Sequence, residues 1–167
     1  IRQQRMDEAD AILEKAAELQ PNHPELSWWR GRQALRANDA QGALSYFEAG
    51  LTNDAASLNL LTGAGIAKDL LHQHDAAQVL YLRALSLNPS RDLTAARTNL
   101  AMSFLLTNEP KQAVKVLRPV AKKEGIPPVV RHNLALAYGL LGKHTQAKRL
   151  LNGELSEQER ADSIARL

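Results

Sequence analysis

Five alanines, Ala9, Ala43, Ala77, Ala113 and Ala147, recur along this chain at steps of 34, 34, 36 and 34 residues. Four residues after each stands a large apolar side chain: Leu13, Phe47, Tyr81, Leu117 or Leu151. Four residues is just over one helical turn, so each pair sets a small contact and a packing anchor on one face of a helix. Further columns keep the register. Gly31, Gly65, Ala101 and Ala135 lie twelve residues before their alanines, and Pro21 and Pro89 lie twelve residues after Ala9 and Ala77. A unit of about this length cannot bury its apolar face alone, so the period predicts an array of helix pairs stabilised by stacking on one another.

Composition agrees with a folded array. Of the 167 residues 44% are apolar and 23% charged, which is close to the globular average and argues against any long disordered stretch. No segment approaches the roughly 18 apolar residues of a membrane span. The chain has no cysteine, which excludes disulfides, thiolate zinc sites and thiol nucleophiles. The opening residues lack the basic and apolar regions of a secretion signal, and Ala9 belongs to a second helix whose partner would lie upstream of Ile1. The expectation is a trimmed chain that starts in mid-repeat.

Helix signals divide the chain accordingly. Residues 6–19 read as the second helix of a partial repeat, 1–23, with acidic residues in the first turn and Pro21-Asn22 as the stop. Full repeats are expected at 24–57, 58–91, 94–127 and 128–155, turning at Asn38-Asp39, at His72 to His74, at Asn108-Glu109-Pro110 and at Gly142. Asp92 and Leu93 account for the 36-residue step. Pro119 falls inside the second helix of its repeat, where it removes the bond back to residue 115 and predicts a kink or an early end. Residues 156–166 form an expected polar capping helix, with Ser156 as N-cap and Glu159 at the capping-box position.

The period and its small and aromatic columns resemble tetratricopeptide repeats over nearly the whole chain. The resemblance implies an all-α fold: a TPR solenoid of antiparallel helix pairs with a C-terminal capping helix, forming a single domain. Three positions depart from the family pattern. Arg30 stands for a leucine, Gly50 for an alanine, and Ala55 where repeat 24–57 would close with proline.

Nothing in the chain reads as catalytic. It has no phosphate-cradling glycine loop, no G-x-S-x-G elbow and no H-E-x-x-H pair, so no enzyme activity and no cofactor are expected. His72 and His74 lack companion ligands and read as solvated turn histidines rather than a metal site.

In tetratricopeptide arrays the first helix of each repeat lines the binding surface, and that implies a groove made of particular positions. They are Glu25, Trp28, Trp29, Arg32 and Arg36; Asn59, Thr62, Ile66 and Asp69; Thr98, Asn99, Met102 and Leu105; and His132, Asn133 and Leu136. Such a mixed lining suits an amphipathic helix or extended peptide, with Asn99 and Asn133 bonding its backbone. Trp28 and Trp29 point about 100° apart, so only one can be fully in the core. The other either covers a neighbouring repeat or stands exposed as an anchor for a partner. The lysine, asparagine and arginine clamp by which one subset of the family grips chaperone tails is incomplete here.

Charge is unevenly distributed. Residues 1–91 carry 9 basic and 11 acidic groups, residues 92–167 carry 12 and 7. Lys111, Lys115, Arg118 and Lys122 form a helical stripe opposite Ala113, Val116, Leu117 and Val120. It reads as a solvated face or as a surface for anionic lipid or an acidic partner. Nucleic acid is disfavoured because no aromatic platform interleaves with the charges.

From Thr98-Asn99-Leu100-Ala101 onward, the pattern R-x-N-L-A-L-A-Y-x-L-x-G-K-x-x-x-A at 131–147 and the L-S-x-x-E at 155–159 resemble the Flp pilus assembly TadD family of the Tad system. The resemblance is close over about the last seventy residues. It implies a lipid-anchored pilotin on the periplasmic face of the outer membrane, with the pilus secretin or another assembly component as partner. The membrane would be met only through an anchor this chain lacks. Two alternatives stand beside it: a tetratricopeptide pilotin of type IV pili, and a cytosolic adaptor or regulatory domain of a larger protein. Oligomeric state is not legible in the sequence.

Overall fold

The computed structural model describes Ile12, Lys15 and residues 23–87, 93–121 and 125–152. Most of the expected helix at 6–19 and all of the expected capping helix at 156–166 lie outside the described residues; Ile12 and Lys15 are helical. Eight further helices follow among the described residues: α1 (Pro24–Arg36), α2 (Ala40–Asn53), α3 (Leu58–Leu70), α4 (His74–Leu87), α5 (Thr94–Leu106), α6 (Pro110–Ala121), α7 (Pro128–Leu140) and α8 (His144–Asn152). The fold is all-α, and the chain divides into two compact units, one up to Gln73 and one from His74.

The turns after α1, α3, α5 and α7 share one design. Asn38, His72, Asn108 and Gly142 each take positive φ, between 58° and 72°, at steps of 34, 36 and 34 residues. Each helix ends in the same pair of reversed hydrogen bonds: Asp39 N–H to Ala34 O and Asn38 N–H to Leu35 O after α1, Gln73 to Lys68 and His72 to Asp69 after α3. After α5 Glu109 bonds Phe104 and Asn108 bonds Leu105; after α7 Lys143 bonds Tyr138 and Gly142 bonds Gly139. This is the Schellman motif, which needs a left-handed residue just past the helix. His72 is therefore the backbone pivot of its turn. Asp39 then caps α2, its side chain accepting from Gly42 N at 2.8 Å.

In the first unit α1 packs on α2, α2 on α3 and α1 on α3. The core is Leu26, Leu44, Phe47, Leu60 and Leu61, all buried. Phe47 lies against two glycines: a Cβ on Gly31 would fall on its Cε1, and one on Gly63 would stand 2.7 Å from the same ring. Gly50, one of the departures from the family pattern, has the same cause. A methyl there would approach Ser27 Cβ and Leu60 Cδ1 to 2.8 Å.

In the second unit α4 packs on α5, α5 on α6, α6 on α7 and α7 on α8, and the first helices α5 and α7 touch each other. Leu117, Val120, Ile126, Val130, Leu134, Tyr138 and Leu150 form its core. Pro119 does not end α6, whose described course runs on to Ala121. Leu151, expected as a packing anchor, is exposed, and Leu150 is buried in its place. Phe47, Tyr81 and Leu117 are buried at their equivalent positions.

Candidate protein-docking faces

Stacking buries one side of each first helix and leaves the opposite side open, with a period of three to four residues. On α5 and α7 that open side is apolar. Met102 and Leu106 are 39% and 58% exposed, and Leu136 and Leu140 on the neighbouring helix are 48% and 50% exposed. Each pair is four apart on its helix, and each residue of one helix has its counterpart 34 residues on in the other. Since α5 and α7 touch, the four side chains form two short apolar rows in the second unit. Val129 and His132 extend the row toward the start of α7, both exposed, while Asn99 is half-buried.

The corresponding face of the first unit is aromatic and cationic. Trp28 and Trp29 meet edge to face, ring centroids 5.0 Å apart at 72°, and the Arg32 guanidinium carbon stands 4.6 Å from the Trp28 centroid and 5.3 Å from that of Trp29. A guanidinium over two indole faces is held by their negative π clouds, which fixes its orientation while its edge stays free to donate. Neither tryptophan is in the core; Trp28 is half-buried and Trp29 is 38% exposed. Arg36 and Asn59 are exposed, Ile66 is half-buried, and Leu70 is exposed one turn after Ile66. Glu25 is exposed and Asp69 half-buried.

Three expected groove positions are turned inward instead. Asn133 and Thr98 are buried, and Asn133 Nδ2 donates to the Thr98 carbonyl at 3.3 Å, so this amide bonds a neighbouring repeat and is not available to a partner's backbone. Leu105 is also buried. Thr62 and Thr98 donate their hydroxyls to Leu58 O and Thr94 O within their own helices, at 2.7 Å each. Leu70, Leu106, Leu140 and Val129 were not expected on the docking faces. Their signal was present in the sequence, because the first three stand four residues after Ile66, Met102 and Leu136 at the same repeat interval.

Among the described residues no three potential metal ligands cluster, and no helix is long and apolar enough to cross a membrane.

The tetratricopeptide repeat family model matches residues 1–23. A search of curated protein sequences found no match. Solved structures resemble the chain in fold at low sequence identity. MamA is 17% identical, with 93% of this chain and 88% of that one covered and a TM-score of 0.73. A thermophilic TPR protein of Thermus thermophilus is 20% identical, with 99% and 93% covered and a TM-score of 0.74. PilF of Pseudomonas aeruginosa is 16% identical, with 98% and 82% covered and a TM-score of 0.76.

Proposed function

We propose, from the premise that the chain is a tetratricopeptide-repeat protein, that it is a non-enzymatic scaffold that captures another protein on the open faces of its first helices. The supporting observation is the set of exposed apolar side chains Met102, Leu106, Leu136 and Leu140 on two touching helices. Apolar area kept in water at regular helical spacing matches what an amphipathic helix buries when it docks. The finer reading rests on the sequence pattern at 131–147: a pilotin-like accessory lipoprotein, on the periplasmic face of the outer membrane, for the secretin of a Tad/Flp pilus machine.

Calorimetric titration of the chain with a purified Tad-system secretin tests both levels. The expected result is saturable binding, weakened at least tenfold by the double variant Met102→Asp, Leu136→Asp with unchanged helicity. Absence of binding by the wild type removes the secretin as partner. Binding that the double variant leaves intact removes these faces as the site.

A further inference from the structure

We propose that the second unit carries, on its second helices α4, α6 and α8, a docking surface for an anionic phospholipid bilayer. Lys111 and Lys115 are exposed one turn apart on α6, opposite the buried Ala113, Val114 and Leu117. One repeat on, Arg149 takes the position of Lys115 with Lys148 beside it, both exposed. One repeat back the same position is Val79, and Leu82 follows three residues later; these apolar side chains are 64% and 51% exposed.

The surrounding charge is basic on balance. Residues 74–167 hold 14 lysines and arginines against 8 carboxylates, and the two carboxylates among the described residues of this unit are Asp75 and Glu109. Glu109 is engaged at its turn, where Thr107 Oγ1 donates to it at 2.9 Å. A field of this sign attracts an anionic surface across about a Debye length.

Charge complementarity narrows the occupant to an anion, and the side chains narrow it further. The exposed cations on α6 are lysines, mobile point charges that suit diffuse head groups better than bidentate pairing with fixed carboxylates. Solvent-exposed valine and leucine at the equivalent repeat position of α4 are what an interfacial surface inserts at the head-group boundary.

Sedimentation of the full chain with sucrose-loaded vesicles tests this without any pilus component, so its failure leaves the scaffold reading standing. Vesicles of phosphatidylcholine with three-tenths phosphatidylglycerol are compared with phosphatidylcholine alone, at low and high sodium chloride. The expected result is at least tenfold stronger binding to the anionic vesicles, abolished by high salt. Lys111→Glu with Lys115→Glu should reduce it about tenfold, and Val79→Ser with Leu82→Ser by a smaller factor, with urea midpoints close to wild type. Equal binding to both vesicles, no binding to either, or anionic binding untouched by the charge reversal overturns the proposal. Tighter binding to soluble polyglutamate or to duplex DNA than to anionic vesicles also overturns it, and gives the face to an acidic polypeptide or to nucleic acid.

Discussion

Asn133 reaches from α7 to the Thr98 carbonyl of α5, a buried amide hydrogen bond at 3.3 Å between residues 35 apart in sequence. It joins the first helices of consecutive repeats. Asn133→Ala leaves that carbonyl without the donor and opens a small gap, a loss of about 1–3 kcal/mol. Urea unfolding should show a lower midpoint, and any loss of partner affinity should follow stability rather than a missing groove contact.

Phe47 gives the second prediction. Gly31→Ala replaces a poor helix former with the best one, a gain of up to about 1 kcal/mol. The new methyl, however, falls on the Phe47 ring, which sits with no exposed surface and little room to move. Overpacking of this kind costs about 1–3 kcal/mol, so the variant should be destabilised. Phe47→Leu combined with Gly31→Ala should unfold at a higher urea concentration than the two separate losses predict, because the smaller side chain relieves the clash.

His72 holds φ 58° in a position its structural counterpart Gly142 fills with φ 72°. A residue with a Cβ pays roughly 1 kcal/mol for that conformation. His72→Gly should therefore raise stability by up to about 1 kcal/mol, and Gly142→Ala should lower it by a similar amount, both measurable as shifts in thermal midpoint. A metal-binding role for His72 predicts the opposite for the first variant in the presence of zinc.

The buried Tyr138 hydroxyl has no hydrogen-bond partner among the described residues, and burial pushes its pKa from the usual 10 up to about 12, a rise opposed in part by the charge of Arg118. In the folded protein the neutral phenol is favoured, so its contribution to stability is whole below pH 10. It is lost as pH climbs from 10 through 12, where the unfolded chain has already released the proton. Tyr138→Phe should match or exceed wild-type stability at pH 7, since an unpaired hydroxyl is removed. It should also lessen the decline in urea midpoint between pH 10 and 12.

The period determined much of this protein before any coordinates. Steps of 34 and 36 residues specify helix lengths, turn positions and which face of each helix is small, because a helix side is repeated every three to four residues whatever surrounds it. The left-handed pivots at Asn38, Asn108 and Gly142 were legible as turn residues for the same local reason, since amide side chains and glycine tolerate positive φ.

What the sequence could not decide were matters settled between helices. Helical spacing puts Thr98 and Asn133 within one residue of the open face, and only the approach of α7 to α5 buries both and makes the amide a strut. Trp28, Trp29 and Arg32 are neighbours by spacing, yet the stacking of the guanidinium over both rings depends on side-chain directions that no pattern encodes. Gly50 looked like a departure from the family until Ser27 and Leu60 were seen to close on it. Local periodicity is a property of one helix; occupancy of the space between two is decided by both, and that information exists only once they have packed.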